Sequence, residues 1–140
     1  MIREPAAMPL EVLLPRVAAA VDRYRRRSAA RYGLTPTAID VLAALGHDGA
    51  PSHRELAGQL GLSPATLTPV LDALERSGHV RRDRDSTDRR VVRLRRTTAG
   101  AQRLAAAQEP AQTLPQPAPE HEPAVRAYLL AVLAAADPDG

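Results

Sequence analysis

Large apolar side chains recur at positions 10, 13, 14, 17, 21 and 24, the spacing of one helical face. Pro15 interrupts this stripe, and a proline fits a first turn better than a helix interior. The pattern predicts a main helix from about Pro15 to Tyr32, ended by Gly33. Thr35-Pro36 supplies a capping hydroxyl followed by proline at the first helical position, predicting a short helix over TPTAIDVLAAL. Ser52 and Glu55 have capping-box spacing ahead of HRELAGQL, which Gly61 ends. Ser63-Pro64 repeats the cap-plus-proline start and leads into ATLTPVLDALERS. There Leu67, Val70, Leu71 and Leu74 form one face, and Gly78 closes the helix.

After Gly78 the period changes from helical to alternating. HVRR and RRVVRLRR read as two short strands joined across RDSTD. In the second, Val92 and Leu94 share one face while Arg93 and Arg95 share the other. Thr97-Thr98 caps a further helix, AGAQRLAAAQE. Residues 110–123 hold five prolines and few apolar residues, a linker composition. The last helix expected is VRAYLLAVLAAA. The fold class is thus mainly α with a small β-hairpin, and no internal repeat is visible.

Composition narrows the chemistry. A 140-residue chain suits one modest core, and with no Phe, no Trp and three Tyr that core must be aliphatic. All 19 basic residues are Arg, whose planar donor fork suits phosphates and base edges. The absence of Cys removes disulfides, thiolate metal sites and cysteine-based redox sensing. No apolar run is long enough for a membrane span, and the N-terminus lacks the layout of a secretory signal. A soluble cytoplasmic protein is the expectation. The four histidines show no HExxH-type spacing and there is no Gly-rich phosphate loop. His47-Asp48 reads as a turn pair, so no catalytic residue, metal or cofactor is expected.

The net charge of +3 is unevenly placed. Residues 79–96 carry eight Arg against three Asp, whereas residues 109–140 carry one Arg against five acids. Such asymmetry suits an anionic partner docking on one region. RYRRRSAAR, residues 23–31, reads instead as a solvated face near a helix C-terminus.

HRELAGQLGLSPATLTPVLDALERSG has the dimensions of a helix-turn-helix, with a second helix whose N-terminal end is small and polar. Threonine hydroxyls there can bond base edges or phosphates, and Ala and Thr methyls can touch thymine methyls. The mixed-charge run RRDRDSTDRR follows as the tip of a hairpin, or wing. An arginine on such a tip can reach a narrow minor groove, where the negative potential is enhanced.

The order of LTPTAIDVLAAL (34–45), RELAGQLGLSPATLTPVLDALERSGHVRR (54–82), DSTDRR (85–90) and TTAG (97–100) resembles the MarR-type family of bacterial winged helix-turn-helix regulators. The resemblance covers roughly residues 34–100. It implies a homodimer whose N- and C-terminal helices interleave, a pseudo-palindromic operator in double-stranded DNA, and a repressor role. It divides the chain into an N-terminal dimerisation helix (1–33), a DNA-binding lobe (34–98) and C-terminal dimerisation helices (99–140). It also implies an Asp-x-Arg wing tip, here Asp88 holding Arg90 in the minor groove with Arg89 on a phosphate. Arg54, Ser63, Pro64, Ala65, Thr66, Thr68, Pro69 and Arg84 complete the DNA-contacting set. Arg81 and Arg82 are expected to make phosphate or loop contacts.

Family ligands sit between the dimer helices and the DNA-binding lobe. That implies a small-molecule effector, for which Tyr24 and Arg27 could hold an aromatic carboxylate; Tyr24 serves equally as dimer core. TLTP resembles the organic-hydroperoxide-sensing branch, but this chain has no cysteine to oxidise. What remains is a ligand-responsive or an unliganded repressor. Three features depart from the family pattern. Pro69 should bend its helix, Arg96 replaces a Leu and should leave the strand end less buried, and the proline-rich linker interrupts a usually continuous helix. The competing reading is a winged helix used for protein interaction or RNA binding, with the charged hairpin as a solvated loop.

Overall fold

The computed structural model describes residues 5–46, 49–108 and 114–138; His47-Asp48 lies outside them. The chain divides into two compact units, Met1–Pro110 and Ala111–Gly140.

In the first unit, after a 3-10 turn at Pro5–Ala7, the first helix α1 spans Leu10–Ala30. It begins five residues before the expected Pro15, because the apolar stripe runs in phase through the proline. The N–H groups of Val12 and Leu13 both donate to Pro9 O. Pro15 withdraws only the one N–H that would have bonded Glu11. The helix ends at Ala30, two residues short of the expected Tyr32; Gly33, with φ of 68°, closes the following turn and lets Leu34 N return to Ala29 O.

Helix α2 (Pro36–Ala44) is capped by Thr35, α3 (His53–Leu60) by Ser52, and α4 (Pro64–Arg76) by Ser63. In each, the side-chain oxygen accepts the N–H three residues on. Only half of the expected capping box forms as such, for Glu55 turns its carboxylate to Arg93 instead. Gly61 adopts φ 65° and turns the chain from α3 into α4. Helix α4 continues through Pro69 to Arg76.

Strands β1 (Val80–Arg84) and β2 (Val92–Arg96) pair antiparallel, Val80 opposite Arg96 and Arg84 opposite Val92. Leu94 N also donates to Pro51 O at 2.9 Å, which seats the hairpin against the entry to α3. Helix α5 (Thr98–Ala107) follows directly, capped by Thr97. The core is aliphatic, as composition required: Val41, Leu42, Leu56, Leu67, Leu71 and Leu94 are fully buried. Ala29 from α1 and Leu104 from α5 join it. Burying each such leucine contributes about 1.5–3 kcal/mol, so this cluster sets the angle between α3, α4 and the hairpin.

Arg96 is half-buried at the strand end; it donates from Nη1 to Leu42 O at 2.9 Å and satisfies a carbonyl of the last turn of α2. The second unit contains α6 (Glu122–Ala136), so Glu122 and Pro123 open this helix rather than closing the linker. Among the described residues no helix is long and apolar enough to cross a membrane.

Candidate functional site

Helix α4 presents Pro64, Ala65, Thr66, Thr68 and Pro69 on its exposed N-terminal half, while Leu67 and Leu71 face the core. This follows from the 3.6-residue period: the apolar face is buried, so the small residues between must point outward. Their hydroxyls are largely engaged. Ser63 Oγ accepts from Thr66 N at 3.1 Å and lies 2.7 Å from Thr66 Oγ1. Thr68 Oγ1 donates to Pro64 O at 2.9 Å.

His53, the first residue of α3, donates from Nε2 to the same Pro64 carbonyl at 2.9 Å. The two helices are thereby tied at their N-terminal ends. Sequence reasoning missed this link, since nothing in a lone His at a helix start marks it. Arg54, next along α3, is exposed and has no partner among the described residues.

The hairpin explains its own composition. Arg81 and Arg95 lie directly opposite each other across the strands, a repulsive pairing. Asp83 Oδ2 accepts from Nε of both, at 3.0 and 3.3 Å. Asp85 organises the turn: its Oδ2 accepts from the N–H of Thr87 and of Asp88, and its Oδ1 from Arg93 Nε. Those bonds hold its carboxyl below the ordinary range, the Asp88 N–H most strongly. Arg93 also reaches Glu55 at 3.3 Å, linking the wing to α3.

Asp88 grips Arg90 in a fork, Oδ1 with Nε at 3.1 Å and Oδ2 with Nη2 at 3.2 Å. Its Oδ1 also accepts the Arg90 N–H at 3.1 Å. The Arg90 side chain, and then its N–H, keep the Asp88 carboxyl deprotonated to lower pH than usual. Yet the Arg90 side chain remains 91% exposed. A guanidinium held by one edge and open on the others can enter an anionic groove with little loss of rotamer freedom.

The other arginines divide. Arg84 donates to the Arg89 backbone carbonyl at 3.0 Å, and the Arg89 guanidinium itself has no partner among the described residues. Arg82 departs from expectation: it bonds Asp72 at 2.9 Å and Glu75 at 3.0 Å on α4, and so braces the hairpin instead of standing free. Tyr24 and Arg27 lie away from this surface on α1. Arg27 is exposed, while the Tyr24 hydroxyl is buried and makes no hydrogen bond with described residues. Among the described residues no cluster of His, Asp or Glu could hold a metal ion.

Comparison with known proteins matches this lobe. The MarR family model covers residues 34–92. The HTH-type transcriptional regulator TtmR of Methylorubrum extorquens is 41% identical over 81 residues, which are 58% of this chain and 42% of that protein. PecS of Dickeya dadantii is 36% identical over 90 residues, 62% of this chain and 54% of the relative. The chain spans about half the length of the curated relatives it matches. Among solved structures, the transcriptional repressor CouR bound to a 23-mer DNA duplex superposes with a TM-score of 0.70 at 28% identity. That match covers 96% of each chain.

Proposed function

We propose that the chain, whose residues 34–92 match the MarR family model, is a winged helix-turn-helix regulator of that type and a sequence-specific DNA-binding transcriptional repressor. The observation that carries this reading is the Asp88–Arg90 fork, which aims an exposed guanidinium from the wing tip beside a recognition helix with a small, exposed start. The CouR complex shows a similar chain on a DNA duplex. Here α4 would lie in the major groove, Arg90 in the adjacent minor groove, and Arg54, Arg84 and Arg89 along the phosphates.

The protein acts as a homodimer on a pseudo-palindromic operator. Support comes from apolar faces that each unit leaves open: Leu10, Val12 and Val17 on α1 are 47–55% exposed, and Leu129, Leu130 and Leu133 on α6 are 49–61% exposed. A two-fold pairing that covers them would set two recognition helices about 34–36 Å apart, one turn of DNA. A small-molecule effector would act through α1, where the unpartnered Tyr24 hydroxyl and nearby Arg27 suit an aromatic carboxylate.

Selection of bound duplexes from a random pool, followed by gel shift at two salt concentrations, tests the proposal. A symmetric enriched site, bound much more weakly as salt rises through counterion release, is expected. No enrichment over random DNA would leave the winged helix as an RNA-binding or protein-interaction module.

A further inference from the structure

The recognition helix α4 has a chemical bias of its own. It carries no Asn or Gln and a single Arg, Arg76 in its last turn, whose Nε donates to Asp72 O at 3.4 Å; these are the side chains that read purine edges by paired hydrogen bonds. Its two acids are engaged, Asp72 and Glu75 both bonding Arg82. What faces outward at its start is Pro64, Ala65, Thr66, Thr68 and Pro69.

The hydroxyls offer little in place of the missing donors. Thr68 donates its only hydroxyl hydrogen to Pro64 O at 2.9 Å. Ser63 and Thr66 share one hydroxyl hydrogen between oxygens 2.7 Å apart. Two of the three hydrogens are therefore committed inside the protein. With its hydroxyl bonded back to the preceding turn, the exposed Thr68 offers its methyl rather than a donor. Pro69 has no N–H, so it leaves the Ala65 carbonyl without its helix bond and adds an acceptor rather than a donor. Guanine, which shows two acceptors in the major groove, finds almost nothing here to bond. Thymine, with its 5-methyl group, meets a surface of methyls and proline rings.

Resting on the operator-binding reading, we propose that α4 selects its half-site through thymine 5-methyl groups, packed against Ala65, the Thr68 methyl and Pro69. Hydrogen bonding to purine edges plays no leading part. The operator's major-groove contacts are then thymine-rich, and the hydroxyl of Thr68 is a brace for the helix start.

The test uses the intact protein and the site enriched from a random pool. Deoxyuridine replaces thymidine at each half-site position in turn, deleting one methyl and leaving every base-pairing group. Loss of about fourfold in affinity per buried methyl is expected, with recovery when 5-methylcytosine replaces a cytosine in the opposite test. Two variants separate methyl from hydroxyl. Thr68→Val, which lacks the hydroxyl but keeps the methyl, should retain the preference for thymine over uracil, whereas Thr68→Ser, which lacks the methyl, should lose that preference. Affinities unchanged on all deoxyuridine substitutions, or a folded Thr68→Val protein that no longer distinguishes thymine from uracil, would overturn the inference while leaving operator binding intact. Failure to enrich any site would overturn the functional reading and this inference with it.

Discussion

Gly100, in the first turn of α5, lies so close to His79 that a Cβ built on it would overlap the His79 carbonyl oxygen. The approach is locked by neighbours. Thr97 N donates to that same oxygen at 3.1 Å, and Thr97 Oγ1 donates to Gly78 O at 2.6 Å while accepting the Gly100 N–H. The α4–β1 turn and the start of α5 therefore form one joint beneath the wing.

Replacing Gly100 by Ala should destabilise the lobe by about 1–3 kcal/mol, since a backbone carbonyl must give way. Gly46→Ala is the control. A Cβ there would lie 2.6–2.9 Å from the Arg96 guanidinium alone, a flexible end that can swing aside. Its cost should be about 1 kcal/mol, the net worth of the Arg96–Leu42 hydrogen bond. Urea denaturation of both variants checks the order, and equal midpoints would contradict it.

Arg90→Ala should weaken operator binding by about 1–3 kcal/mol while the melting temperature barely moves, because the side chain is almost wholly in solvent. Asp88→Ala should weaken it less, in the same direction, by freeing Arg90 to wander. Fluorescence anisotropy with one operator decides this, and equal affinities for all three proteins would reduce the fork to a surface ion pair.

Sedimentation at micromolar concentration should give the mass of a dimer. Leu130→Glu with Leu133→Glu, two of the most exposed apolar positions on α6, should shift that mass toward the monomer. A monomeric wild-type protein would sink the two-fold arrangement.

Stability should fall on two separate limbs as pH drops. Burial, and secondarily Arg103, lowers the His79 pKa from its ordinary 6.5. The unfolded chain then takes up a proton that the folded state resists, so this contribution is complete above pH 6.5 and declines below it. Asp85 acts lower: its depressed pKa gives stability that is present above the ordinary carboxylate value and is lost as pH falls through the folded one. His79→Gln should flatten the loss between pH 7 and 5, and Asp85→Asn the loss in stronger acid. Denaturant midpoints across pH that stay parallel to wild type in both variants would refute the assignment.

Much of this fold is legible one residue at a time. Thr35, Ser52, Ser63 and Thr97 each cap the helix the sequence assigned to them, because a cap joins residues three apart and needs no distant partner. The buried face of α4 follows from Leu67, Leu71 and Leu74 in the same way. The Asp88–Arg90 fork spans two residues, so it too could be anticipated.

The contacts that the sequence does not reveal share the opposite property. Arg82, expected on a phosphate or loop, finds Asp72 and Glu75. Arg93 reaches Glu55 from 38 positions away, and Arg96 reaches Leu42 from 54. Nineteen arginines and sixteen acids along a chain are compatible with a great many pairings. Only the packed helices bring particular ones within about 4 Å, where a Coulomb or hydrogen-bonding term exceeds the competition from water. The sequence by itself thus determined the helices, their caps and the wing. Tertiary packing decided which arginines brace the lobe and which, like Arg89 and Arg90, remain open to a partner.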